Sequence, residues 1–333
     1  MIYPLSRRII KKQEAYQYYN GWEHDLPEPD WEQLATKLIL SPVIGRDTYG
    51  NYYITHGATN ATISKYDIFL NLVSTISGVS ESSRSFPFII PNFDNSNRDV
   101  MVFGGYTNTG AIINLDDFTL NTKWNTTANT VIFPAGHFTD KNNVQNSFIF
   151  ERERINYRNH RALMFYEKGK SVISLYATGG SGVLTDNNFI EVLGGEFLLN
   201  IFSTLNPSNP YACSYGCASD KYFVLAMPNA FGNINKFAVF DINIFMENYN
   251  FQDALQYQFQ NNDNEFTNGL NCLYIYNDKL VAIDFFGKTK IYDLMKNGTV
   301  ISNIIIGGNN RGHYYWRNKV FDTNTKLITI LPI

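Results

Sequence analysis

The residues able to do chemistry in this chain are scattered rather than grouped. Five histidines, His24, His56, His137, His160 and His313, stand singly, and a lone histidine in a strand or loop serves structure far more often than proton transfer. Cys213 and Cys217 lie four apart, with Cys272 as the only other thiol. That set is too thin for a metal centre or a disulfide framework. Gly169-Lys170-Ser171 ends like a phosphate-binding loop, but Met164 stands where the earlier glycine belongs and a strand pattern follows in place of a helix. It reads as a hairpin turn. Neither a G-x-S-x-G nucleophile elbow nor an H-E-x-x-H zinc site occurs. The expectation is a chain with no catalytic residues, no metal and no cofactor.

One cluster invites a binding reading. The run ERERINYRNHR, Glu151 to Arg161, holds four arginines, suited to phosphates or to a partner's carboxylates. The plainer expectation is an exposed strand whose alternating charges protect a sheet edge, with Arg152, Arg154 and Arg158 as subunit contacts in the other reading. Three Asn-x-Thr sequons start at Asn60, Asn125 and Asn297, and chance explains them in so asparagine-rich a chain.

Composition narrows the class. The 333 residues are 44% hydrophobic, 17% charged and 15% aromatic, with 22 Tyr and 25 Phe, a balance that favours strands over helices. A net charge of -3 argues against nucleic acid as the main partner. The start MIYPLSRRIIKK lacks an apolar core for a secretory signal, and no run has the length of a membrane span, so membrane insertion is not expected.

From Ser41 onward a theme repeats. An apolar strand, a polar turn and a second strand recur six times, the second strand often closing on an aspartate: Asp67, Asp117, Asp241 and Asp293. Steps of about 50 residues between paired short strands are the signature of a radial array, in which neighbouring units share their cores. The stretch Val100 to Trp124 is the fullest unit. It has a strand ending in Gly104-Gly105, a partner strand, Asp117 and then Trp124. This pattern resembles one blade of a kelch-type β-propeller, and the resemblance implies that Trp124 plugs the space between blades. The fold expected is all-β, a propeller of six or seven blades over residues 41–333, preceded by a short, partly helical extension over 1–40. A partial seventh unit is sought in residues 181–210. The segment Leu38 to Ile44 is the expected closing strand of the last blade.

The extension differs from the repeats. Arg7, Arg8, Lys11 and Lys12 precede Tyr16, Tyr18, Tyr19 and Trp22, a basic and aromatic arm that the repeat pattern does not require. Asp30 followed by Gln33 fits a helix cap that opens a short helix at Trp31. The arm is expected to contact neighbouring subunits through Arg7, Arg8, Lys11, Lys12, Tyr18, Tyr19 and Trp22.

In overall character the sequence resembles virion proteins of tailed bacteriophages with AT-rich genomes. That resemblance implies a ring-forming tail or collar component in the virion, in contact with copies of itself and with neighbouring virion proteins. Two alternatives stand beside it, a glycan- or receptor-binding module and a propeller glycoside hydrolase. The phrase GRDTYGNYYITHG loosely resembles the first blade of five-bladed glycoside hydrolases, with Asp47 as the corresponding carboxylate. A glycosidase needs two such groups flanking the sugar, and no second one is identifiable by spacing.

Overall fold

The computed structural model describes residues 26–37, 43–56, 62–77, 88–90, 99–104, 109–125, 130–139, 145–155, 158–167, 173–177, 190–191, 215–228, 234–248, 250–260, 266, 270–284, 286–306, 313–322 and 325–333. Their strands form six sheets, numbered here in chain order. Sheet 1 contains β1 (Val43–Arg46), β2 (Tyr52–His56), β3 (Thr62–Tyr66) and β4 (Leu72–Ile76). Sheet 2 contains β5 (Phe88–Ile90), β6 (Val100–Gly104), β7 (Thr109–Asn114) and β8 (Thr119–Asn125). Sheet 3 contains β9 (Thr130–Thr139), β10 (Gln145–Ile155), β11 (Arg158–Glu167), β12 (Ile173–Ala177) and β13 (Ile190–Glu191). Sheet 4 contains β14 (Tyr215–Ala218), β15 (Tyr222–Pro228), β16 (Ile234–Asp241) and β17 (Leu255–Gln260). Sheet 5 contains β18 (Leu270–Tyr276), β19 (Lys279–Asp284), β20 (Lys288–Asp293) and β21 (Thr299–Ile305). Sheet 6 contains β22 (His313–Trp316), β23 (Lys319–Asp322) and β24 (Ile328–Ile330).

Within each sheet, neighbours in sequence are neighbours in space, and all pairings are antiparallel except β12 with β13. The first strands meet at the centre. β1 lies beside both β5 and β22, and β14 lies beside both β9 and β18. With β6 beside β9, and a shared core joining sheets 5 and 6 through Ile283, Ile291, Val320 and Leu331, the six sheets close into a ring. This is a β-propeller. The turns between first and second strands, and between third and fourth, lie at one end of it.

In sheets 1, 2, 4 and 5 the strand pairs picked out by the sequence are the two middle strands; in sheet 3 they are β11 and β12, and in sheet 6 the unit spans all three strands. β2 and β3 pair from Tyr52↔Tyr66 to His56↔Thr62, and β19 and β20 from Lys279↔Asp293 to Ile283↔Thr289. The aspartates close the third strand for a local reason. Asp67 Oδ1 accepts from the amides of Phe69 and Asn71 at 2.9 and 2.8 Å, turning the chain back into β4. Asp293 Oδ1 accepts from the Met295 amide at 3.0 Å and caps a one-turn 3-10 helix. Asp241 does the same for helix α2 (Ile242–Asn248), which is followed by α3 (Phe251–Ala254).

Several sequence expectations are met differently. The stretch Val100 to Trp124 forms β6, β7 and β8, one sheet's worth of strands. Trp124 sits in the outer strand β8, opposite Gly110, and its side chain lies outside the described residues, as does Gly105. The charged run around Glu151 is no sheet edge. β10 pairs with β9 through Glu151↔Ile132 and Glu153↔Thr130, and with β11 through Glu151↔Ala162 and Arg154↔Asn159, so it is an interior strand. Of the expected closing strand, Val43 and Ile44 belong to β1, where Val43 pairs with Ile54. Residues 38–42 lie outside the described residues, as does the segment sought as a seventh unit apart from Ile190–Glu191.

The last and first sheets are joined by a helix. Asp30 Oδ1 accepts from the Gln33 amide at 2.9 Å and opens α1 (Trp31–Lys37), as the capping pattern predicts. Leu34 of α1 is fully buried with Tyr52, Ile54 and Leu70 of sheet 1 and Tyr314, Trp316 and Phe321 of sheet 6. The Trp31 ring lies 5.8–6.4 Å from those of Phe321, Tyr314 and Trp316. Polar bonds fix the position: Gln33 Nε2 and Lys37 Nζ both donate to the Phe69 carbonyl at 2.7 Å, and Lys319 bonds Glu28. The described residues 26–37 thus pack on the propeller, Leu26 among Tyr53, Ile63 and Leu115 and Leu34 between sheets 1 and 6.

Two substitutions test this packing. Trp31→Ala should remove about 3 kcal/mol of stability in chemical denaturation, because its ring packs on those of Tyr314, Trp316 and Phe321. Gly298 has φ +74°, and a Cβ there would lie 2.4 Å from the Phe259 ring. Gly298→Ala should therefore lower stability by about 2–4 kcal/mol, combining left-handed strain with overpacking.

Candidate interaction surface

Asp47, the one carboxylate singled out for catalysis, is placed by the turn between β1 and β2. Its Oδ1 accepts from the Tyr49 and Asn51 amides, both at 2.9 Å, and its Oδ2 from Asn51 Nδ2 at 2.7 Å and the Tyr53 hydroxyl at 2.8 Å. It is 1% exposed. Four hydrogen bonds fill its acceptor positions, and no face is open to a sugar. Burial pushes its carboxyl above the usual range, against the pull of its bonds to Asn51 and Tyr53 and of the Lys65 charge. Asp47 anchors a seam. Nearby, buried Asp99 accepts from the Thr48 amide at 2.8 Å and from its hydroxyl. Lys65 donates to the Leu115 carbonyl across the same junction of sheets 1 and 2.

Tyrosines take part in three other seams among the described residues. Tyr257 donates to the Leu294 carbonyl at 2.5 Å between sheets 4 and 5. Tyr274 donates to the Arg317 carbonyl at 3.3 Å between sheets 5 and 6. Arg46 Nε donates to the Tyr314 hydroxyl at 2.7 Å between sheets 1 and 6. Burial raises the Tyr53, Tyr257 and Tyr274 hydroxyls well above the ordinary tyrosine range, so all three remain donors. The described cysteines also serve packing: Cys217 is buried between sheets 4 and 5, and burial raises both its thiol and that of Cys272. Among the described residues no group of His, Cys, Asp and Glu is placed to hold a metal, and no helix is long and apolar enough to cross a membrane.

The predicted contact residues Arg7, Arg8, Lys11, Lys12, Tyr18, Tyr19 and Trp22 lie outside the described residues. Arg152 and Arg154 are on β10 and Arg158 opens β11, so the backbone brings these three to one hairpin. Their side chains are outside the described set. The surface that sequence reasoning missed is apolar and lies on the circumference. Sheet 1 exposes Ile68 and Phe69 in its last turn and Leu72 and Val73 on β4. Sheet 5 exposes Met295 in its last turn and Val300, Ile301 and Ile305 on β21. Sheet 6, between them in the ring, exposes Leu327, Ile328 and Ile330.

Sheet 4 shows the contrast. Its outer strand β17 turns Gln256, Gln258 and Gln260 to solvent, while Tyr257 and Phe259 pack inward. Its last connection is the α2–α3 pair, with Phe245 and Phe251 buried. The same two positions in the fold are polar or covered in sheet 4, while in sheets 1 and 5 they expose several large apolar side chains beside Ser74, Thr75, Thr299 and Asn303. Charge does not mark the difference, since LVSTI, TVISNII and LQYQFQ all lack it; the alternating glutamines of LQYQFQ do.

No family model and no curated protein sequence matches this chain. Solved structures do match in fold. The Dos1 propeller is 11% identical with a TM-score of 0.44, covering 85% of this chain and 64% of that one. Apo AztD from Citrobacter koseri is 9% identical with a TM-score of 0.40, covering 88% and 86%. A chain of the mitotic checkpoint complex is 7% identical with a TM-score of 0.41, covering 89% and 90%. The chain is a β-propeller by its own ring of sheets.

The Asp47 seam makes a pH prediction. Folded Asp47 holds its proton to higher pH than its ordinary value of 3.8, so above that pH the folded state binds more protons than the unfolded chain. This group's contribution to stability is then greatest in acid and falls as pH rises through the raised pKa. Asp47→Asn should remove that fall, so the stability of the variant, measured by denaturation at a series of pH values from about 4 upward, should depend less steeply on pH than that of the parent.

Proposed function

We infer that this chain is a structural protein that acts through protein–protein contacts, as a ring-forming component of a larger assembly. The observation that carries this reading is the set of exposed apolar side chains on the outer strands β4 and β21, where β17 turns glutamines to solvent. Exposed apolar side chains at contiguous positions mark interaction sites, and unguarded strand edges invite another chain. The setting proposed is the tail or collar of a tailed bacteriophage virion, with copies of the chain and neighbouring virion proteins as partners. The virion-like character of the sequence supports that setting as a resemblance.

The test is native mass by light scattering on the purified full-length chain, with a variant carrying Leu72→Ser, Val73→Ser, Ile301→Ser and Ile305→Ser. The parent should self-associate. The variant should lose association and keep its melting temperature, because all four side chains are exposed. A parent that stays monomeric at high concentration, with solubility equal to the variant's, would overturn the reading. So would polysaccharide turnover by the parent, which would make the propeller an enzyme.

A further inference from the structure

We propose that Met295 is a site of reversible oxidation by hydrogen peroxide, at which Lys221 and Tyr222 of the adjoining sheet hold the sulfur and direct oxygen to one of its two faces. No second chain is needed, so the site stands apart from the assembly reading above.

Two sheets meet at this sulfur. Lys221 ends the turn between β14 and β15 and Tyr222 opens β15 in sheet 4, while Met295 lies in the 3-10 turn that follows β20 in sheet 5. Lys221 Nζ donates to Met295 Sδ at 3.0 Å and the Tyr222 hydroxyl donates to it at 3.2 Å. Both donors are fixed from behind: Ser219 Oγ accepts from the Lys221 and Tyr222 amides at 3.3 and 3.0 Å, and Tyr222 is 7% exposed. The turn that carries the sulfur is fixed as well. The Met295 amide donates to Asp293 Oδ1 at 3.0 Å, the Leu294 amide to the Asp278 carbonyl at 3.0 Å and the Gly298 amide to the Asp293 carbonyl at 2.9 Å. An exposed methionine ordinarily turns about three rotatable bonds and presents its sulfur in no set direction. Met295 is 59% exposed, open to a small oxidant, yet its sulfur has a set place between two donors.

The chemistry follows from that placement. A sulfur lone pair attacks one oxygen of the peroxide, and the O–O bond breaks. The departing oxygen takes a proton from the Lys221 ammonium and leaves as water, while the oxygen now on sulfur returns its hydrogen to the Lys221 amine. The thioether loses two electrons and the peroxide gains them, giving methionine sulfoxide and water. Lys221 suits this part because 42% of its side chain is exposed, so it can turn from the sulfur to the incoming peroxide. A hydrogen bond with the Tyr222 hydroxyl, and then the charge of Asp278 at 3.8 Å, hold its pKa above the ordinary lysine value against the pull of burial, so it has the proton to give. A sulfoxide is chiral. With the Tyr222 hydroxyl fixed on one lone pair, oxygen arrives on the side of Lys221 and one epimer forms. Its oxygen then accepts a charge-assisted hydrogen bond from Lys221, stronger than the one a thioether accepts.

The experiment treats the full-length chain with dilute hydrogen peroxide at neutral pH and follows Met295 sulfoxide by peptide mass spectrometry. A synthetic peptide of residues 291–299 serves as the freely turning reference. Met295 should oxidise about tenfold faster in the protein than in the peptide. After digestion, only one of the two epimer-specific methionine sulfoxide reductases should reverse the product. Lys221→Leu should bring the rate down to that of the peptide and keep the parent's melting temperature, since much of that side chain is exposed. Tyr222→Phe keeps the ring, removes the donor and should yield both epimers. Oxidation of the parent at the peptide's rate to equal epimers would overturn the proposal and leave Met295 an ordinary exposed methionine. An unchanged rate in Lys221→Leu would overturn it by removing Lys221 from the reaction. So would a Met295 that resists peroxide, since the two donors would then be shielding the sulfur.

Discussion

The structure depends on how the wedge between adjacent sheets is filled. Sheets set radially about an axis diverge outward, and the gap must be packed with large side chains that leave no buried polar group unpaired. This chain meets both demands with one residue type. Tyr257, Tyr274 and Tyr314 put an aromatic ring at a seam and use the hydroxyl to join the sheet opposite, through a carbonyl or the Arg46 guanidinium, while Tyr53 packs at the junction of sheets 1 and 2 and donates to Asp47. Phenylalanines complete the packing where no polar reach is needed, as in the stack of Phe237 on Phe259 at 4.9 Å beside Tyr292. A tyrosine whose hydroxyl is a buried donor also resists replacement by phenylalanine, because the carbonyl it serves would be stranded.

Much of the fold was legible because it is local. Strand pairs such as Tyr52–His56 with Thr62–Tyr66 are joined by short polar turns, and alternation shows them. The aspartates were visible for the same reason, since Asp67 and Asp293 bond amides two residues on. What was not legible depends on distant partners. Nothing in ERERINYRNHR reveals that β9 lies alongside β10, so the run reads as an edge when it is interior. Val43 and Ile44 look equally suited to close the last sheet or to open the first, and only the pairing of Val43 with Ile54 decides. Asp47 shows the limit for sites. The phrase around it fits a catalytic strand, but its four hydrogen bonds and its burial belong to the folded seam.

The apolar circumference was overlooked for a different reason. Strands such as LVSTI and TVISNII have the composition of a buried strand, so the sequence suggests an interior position. The pairing places them outermost, and exposure then becomes informative. Gln256, Gln258 and Gln260 on β17 show that the chain can protect an outer strand. Its neighbour in the ring does without.

The helix that seats Trp31 on sheet 6 also orders events during synthesis. Glu28 and Lys319 are 291 residues apart in sequence, so the first described residues to leave a ribosome must wait for nearly the last before they find their place. At the usual pace of translation the interval is about 15–60 seconds. Throughout it the apolar faces of Leu34 and Trp31, and the uncovered flank of sheet 1 formed by Tyr52 and Ile54, have no lasting cover. A nascent chain of this design is exposed to chaperones and to its neighbours on the same messenger for most of its making, and it becomes a closed body only when its final sheet emerges.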